Sequence, residues 1–120
     1  NAYRFYHDVF GMEAIYREAG FIQAQTPGAW DVLVFQADAA RAGDSGGIAH
    51  FGFRLAELAG IEGAAERIVA AGGEIVEAGE FCPGEPYVFF RDPDGYQVEV
   101  WYELPTPLDP DPARPRVSRG

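Results

Sequence analysis

The chain repeats itself, and that repeat narrows its possible folds more than any other feature. Residues 2–10 set Ala2, Phe5, Tyr6, Val9 and Phe10 on one helical stripe, and Gly11 supplies a left-handed stop. Strand patterns follow at about 12–18, 21–26 and 30–37, punctuated by Gly20 and Pro27-Gly28. A polar linker, 41–47, leads into a second round. Ile61, Ala64, Ala65, Ile68, Val69 and Ala71 form another helical stripe, stopped by Gly72-Gly73. Strand patterns then recur at about 74–79, 86–91 and 96–103. Gly11 matches Gly72, 61 positions on. Thr26-Pro27-Gly28-Ala29-Trp30 matches Asp92-Pro93-Asp94-Gly95-Tyr96, 66 positions on. Only the second unit has a leading strand, 47–55; its counterpart would precede Asn1. The sequence opens inside a helix and without an initiator Met, so it reads as a processed, truncated or incompletely represented chain.

Alternation along the strands sorts residues by face. In 47–55, Phe51, Phe53 and Leu55 point one way, and His50, Gly52 and Arg54 the other. In the last strand, Val98, Val100 and Tyr102 suit packing under a helix, leaving Gln97, Glu99 and Trp101 opposite. A histidine and a glutamate thus stand at the two ends of one folding unit as potential metal ligands. His7 falls on the polar side of the first helix and reads as a surface residue. Asp92-Pro93-Asp94-Gly95 reads as a structural turn, with Pro fixing φ and Gly accepting positive φ. Trp30, Phe35, Phe89 and Trp101 read mainly as core residues.

A chain of 120 residues, 48% hydrophobic and carrying nine Phe, folds as one domain with an ordinary core. Its formal charge of −10 repels phosphate backbones, so nucleic acid is an unsuitable partner, whereas a cation is welcome. All nine basic residues are Arg. Cys82 is the only cysteine, which excludes an intrachain disulfide and suits a cytoplasmic location. It reads as an inert thiol beside Pro83. No apolar run approaches the roughly 20 residues of a membrane span, and no signal peptide is visible. From Leu104 the chain holds Pro105, Pro107, Pro110, Pro112 and Pro115, which bars regular helix and central strand and predicts an extended or disordered arm over 104–120.

A tandem β-α-β-β-β repeat ending on Asp-Pro-Asp-Gly and a strand glutamate resembles the vicinal oxygen chelate superfamily. This group includes glyoxalase I, bleomycin resistance proteins, fosfomycin resistance transferases and extradiol dioxygenases. The resemblance runs over about residues 2–103. It rests on Tyr3-Arg4-Phe5-Tyr6-His7-Asp8-Val9-Phe10-Gly11-Met12, on His50-Phe51-Gly52-Phe53, and on Arg91-Asp92-Pro93-Asp94-Gly95-Tyr96-Gln97-Val98-Glu99. It implies an α+β fold of two modules, about 1–40 and 47–103, whose sheets curve as half-barrels around a cavity, with the first strand of module 1 absent from this sequence. The 104–120 tail lies outside that domain.

The family's metal site takes a His from the first strand of each module and a Glu from the final strand. By that resemblance His50 and Glu99 are ligands of a divalent ion (Fe, Mn, Zn or Ni), and the partner of His50 is missing. The position matched to Glu99 at an offset of 66 is Leu33, which cannot ligate; Gln36 is one residue out of face with it. Leu33, Phe35, Arg54, Phe89 and Trp101 are the candidate lining of a substrate pocket. Leu33 stands where glyoxalase I would need a carboxylate. Residues 81–89 lack the additional His of extradiol dioxygenases, and Phe89 replaces their Tyr. An acidic chain without Lys does not suit a phosphonate pocket. Two functions follow from the resemblance. One is a metal-dependent lyase, isomerase or oxygenase on a small oxygenated substrate. The other is a metal-free bleomycin-resistance-type protein that sequesters a cationic ligand. Family members commonly dimerise, so a homodimer is expected, and the missing strand predicts an unpaired sheet edge and an open core in module 1.

Overall fold

The computed structural model describes residues 2–44 and 46–110. It is an α+β protein: α1 (Ala2–Phe10), β1 (Glu13–Glu18), β2 (Phe21–Gln25), β3 (Leu33–Gln36), β4 (Phe51–Arg54), α2 (Gly60–Ala70), β5 (Glu74–Glu80), β6 (Pro86–Arg91) and β7 (Gln97–Trp101). One sheet has the order β1-β2-β3 and is antiparallel; the other has the order β4-β7-β6-β5. The repeat is visible in its irregularities. The β1–β2 ladder slips between Ala14 and Tyr16, and the β5–β6 ladder slips between Ile75 and Glu77, 61 positions on.

Both helices serve one core. Phe5, Tyr6 and Val9 of α1 and Ala64 and Ile68 of α2 are buried with Val88, Phe90, Val98 and Val100 of the four-stranded sheet. Full burial of each large apolar side chain contributes about 1.5–3 kcal/mol. The helices approach closely at the end of α2, where a Cβ on Gly73 would lie 2.7 Å from Ile68 Cγ2 and 3.0 Å from a Phe5 ring carbon. Gly72, at φ +99°, turns the chain there. The first strand of the second unit is shorter than the sequence pattern suggests. Gly46 and Gly47 both have positive φ, so no strand can begin at 47. It begins at Phe51, and His50 is the residue just before it.

The Tyr6 ring lies 5.5 Å from Phe35 of β3, 6.4 Å from Phe51 and 5.9 Å from Phe53 of β4. Beside it opens a groove of about 760 Å³, lined by Tyr3, Tyr6, Leu33, Phe35, Phe51 and Tyr96 among others. Among the described residues β3 has no partner on its outer edge, so the sheets are not closed into a barrel.

The tail as far as Pro110 is tied down. Leu104 N donates to Glu85 Oε2 at 2.9 Å, and Asp109 N donates to Thr106 O at 3.1 Å, closing a turn. The expectation of an extended arm holds only in that 102–110 has no regular element; the stretch 111–120 lies outside the described residues.

Candidate metal and substrate site

Parallel pairing of β4 with β7 builds the site. The ladder sets Gly52 level with Glu99 and Arg54 level with Trp101. Residues paired this way share a face, and His50 joins that face one pleat before Gly52. His50 Nε2 lies 3.2 Å from Glu99 Oε1. The Glu99 side chain is 13% exposed and the His50 side chain 35%. On the neighbouring antiparallel strand Phe89 stands opposite Glu99, and its ring meets the His50 ring edge-on at 5.0 Å. Tyr87, opposite Trp101, extends the same face, and its hydroxyl donates to Glu77 Oε2 at 2.5 Å. That bond and its anionic partner raise the Tyr87 phenol above its ordinary pKa.

Gly52 makes the arrangement possible. A Cβ there would sit 2.7 Å from the Glu99 carbonyl oxygen and 2.7 Å from Trp101 Cζ3. The indole therefore lies where any larger residue would put its side chain. Its Nε1 donates to Glu103 Oε1 at 2.9 Å. Farther along β4, Arg54 grips Asp109 with both terminal nitrogens, at 2.5 and 2.8 Å. That contact holds the Asp109 carboxyl well below the usual carboxylate range.

His50, Glu99, Arg54, Phe89 and Trp101 thus share one open face. Leu33 and Phe35 do not join them. Both pack against the helix-covered core and line the groove beside Tyr6. The register explains the difference. Ala24 pairs with Leu33 as Phe90 pairs with Val98, so Val34, an exposed residue, stands where Glu99 stands, at an offset of 65. Valine, like leucine, cannot ligate. Trp30 is no core residue either, being 61% exposed.

Cys82 is exposed, with Sγ 3.0 Å from Glu85 Oε1. Hydrogen bonding to that carboxylate raises the thiol pKa. Asp92 does more than shape a turn. It is 6% exposed, accepts the backbone N–H groups of Asp94 and Tyr96, and receives the Tyr6 hydroxyl at 2.8 Å. The turn reading missed that long-range bond, because nothing in the local sequence points from residue 92 to residue 6.

An imidazole and a carboxylate meeting on an open sheet face are the donor types a divalent transition metal takes. They are two donors, and no group of three His, Cys, Asp or Glu side chains gathers among the described residues. The pair fits part of a metal's ligand set and leaves at least one further donor to be supplied.

A model of the glyoxalase/bleomycin resistance protein/dioxygenase superfamily matches residues 1–100, and the chain belongs to that superfamily. Among curated proteins it is 26% identical over 118 residues to the manganese-dependent 2,3-dihydroxybiphenyl 1,2-dioxygenase of Geobacillus genomosp. 3. The match covers 97% of this chain and 36% of that protein, so the chain spans about a third of its relative's length. Among solved structures, a lactoylglutathione lyase from Agrobacterium tumefaciens is 25% identical with a TM-score of 0.64, covering 84% of this chain and 82% of that one. A glyoxalase/bleomycin resistance protein/dioxygenase family enzyme from Burkholderia phytofirmans PsJN is 19% identical with a TM-score of 0.69, covering 85% and 87%.

Proposed function

We propose that this protein is a divalent-metal-dependent enzyme acting on a small oxygenated substrate, with His50 and Glu99 as two of the metal ligands. The observation that carries this reading is the 3.2 Å approach of His50 Nε2 to Glu99 Oε1 on a face walled by Phe89 and Trp101. The relative named for manganese dependence supports a divalent ion and is silent on its identity here. A strand laid along β3, from the same polypeptide or from a second copy, would be the source of the missing donor. When bound, such an ion polarises a substrate carbonyl or enolate. The chain's own residues then hold the ion on one side, and the Phe89 and Trp101 rings give the substrate an apolar wall. No helix among the described residues is long and apolar enough to cross a membrane. If a second copy supplies the strand along β3, the protein is a homodimer. A reducing cytoplasm suits the lone Cys82.

A second reading has its own support. Tyr87, Phe89 and Trp101 share their face with Glu77, Glu99 and Glu103. Aromatic faces beside carboxylates attract flat cations, as a sequestering protein of the bleomycin-resistance type requires. Elemental analysis of the intact, natively purified protein separates the two. The enzyme reading expects about one divalent ion per site, lost in His50→Ala and in Glu99→Ala. Absence of bound metal, with no thermal stabilisation by added manganese, zinc, nickel or iron(II), overturns it in favour of the binding protein.

A further inference from the structure

We propose that Arg54 is the carboxylate-binding residue of the open face, and that Asp109 of the tail occupies its site as an internal carboxylate that an acidic ligand displaces. Arg54 projects from the same face as His50 and Glu99. Its Nη1 and Nη2 meet the two oxygens of Asp109 in the side-by-side geometry by which a guanidinium recognises a carboxylate. The remaining contacts prepare that carboxylate for presentation. Thr106 donates its backbone N–H to Asp109 Oδ2 at 2.8 Å and its hydroxyl to Oδ1 at 2.9 Å. Arg54 also reaches Glu103 at 3.7 Å and the Leu104 carbonyl at 3.4 Å.

Among the described residues, little else holds the segment that carries Asp109. Leu104 is 57% exposed and Leu108 94% exposed, so no large apolar side chain anchors it. Glu85 fixes its root at Leu104 N. Beyond that root, Pro105, Pro107 and Pro110 rule out helix, and the strap carries only the turn closed by Asp109 N on Thr106 O. The dock is therefore an exposed ion pair in competition with water and with any anion that reaches Arg54.

The spacing states the ligand class. Arg54 lies two residues along β4 from the level of Glu99, or about 6–7 Å in a strand. The Trp101 ring reaches from the level of Arg54 to that of Glu99, over Gly52. The site takes a flat carboxylic acid whose carboxylate reaches Arg54 while its far end meets His50 and Glu99. The place of the far end rests on the proposed function; the exchange at Arg54 does not.

Benzoate, with benzamide as its uncharged counterpart, tests the exchange by calorimetric titration of the metal-free full chain. Performing it in a His50→Ala background separates it from metal binding. Benzoate binding tightens about tenfold in Asp109→Asn, because the competing internal carboxylate is neutralised; benzamide binding is unchanged. Arg54→Lys added to Asp109→Asn abolishes the gain. In the unsubstituted chain, saturating benzoate shifts the Thr106 and Asp109 amide resonances. Should Asp109→Asn fail to fold, Thr106→Ala, which loosens Asp109 without touching Arg54, is read in the same way. Equal benzoate affinity with and without the Asp109 carboxylate, no binding to the released form, or a gain that survives loss of Arg54 overturns the proposal.

Discussion

A single missing Cβ decides the geometry around Glu99. At Gly52 any side chain collides with the Glu99 carbonyl and with the Trp101 ring. Gly52→Ala is expected to destabilise the protein by about 1–3 kcal/mol, the usual cost of overpacking. It should also expel the indole from beside Glu99. Thermal melting and Trp emission check both parts, and an unshifted melt with unchanged emission would contradict the prediction. At this scale the sequence is readable where alternation is unbroken. Period 2 alone puts His50, Gly52 and Arg54 on one face, and Gln97, Glu99 and Trp101 on another, and the parallel ladder merges the two sets. It fails at Leu33 and Phe35 for an equally simple reason. The offset of 66 is taken at the turns, from Trp30 to Tyr96, whereas β3 and β7 align at 65. One residue of slip turns every side chain of a strand to its other face.

Among elements, α1 is held to the rest by one buried polar bond as well as by its apolar stripe. Tyr6 donates to Asp92 at the β6–β7 turn, 86 positions away. Burial, more than the nearby charge, drives the Tyr6 phenol far above its usual pKa, so it remains protonated in the folded state. Burial also raises the Asp92 carboxyl, against the lowering effect of the Tyr6 hydroxyl and two backbone N–H groups. The sign follows directly. An unfolded tyrosine ionises near pH 10. The stability contributed by Tyr6 is therefore complete below about pH 10 and is lost as pH rises toward its higher folded value. Tyr6→Phe is expected to cost about 1–3 kcal/mol at neutral pH, because Asp92 keeps its burial and loses a donor. The same substitution should flatten the decline in stability above about pH 10. Denaturant unfolding at pH 7 and at alkaline pH measures both. The helix itself is legible in the sequence from its stripe; its tie to residue 92 is not, since long-range hydrogen bonds leave no periodic signal.

For the molecule as a whole, the sheet orders explain both what is built and what is open. The second sheet has four strands and a helix-covered face, while the first ends at β3 beside a groove of about 760 Å³. An unpaired edge next to exposed Val32 and Val34 is a template for another strand. If a second copy supplies that strand, the protein is a homodimer in solution, and light scattering coupled to size exclusion checks it. A stable monomer across the micromolar range would refute it. The repeat made this architecture legible, because two copies of one pattern fix the order of elements. How one module's helix packs was less so, since α1 contributes to the core of the other module's sheet.

The parallel pairing of β4 with β7 also carries a consequence in time. His50 and Glu99 are 49 positions apart, and α2, β5 and β6 are all threaded between them. Non-local pairing of this kind comes late, because the intervening chain must be organised before its ends can meet. During synthesis the two donors cannot face each other until the last strand has left the ribosome. If the proposed ion depends on both, it is captured only after the second sheet is complete, as a seal on a finished fold rather than as a seed for it.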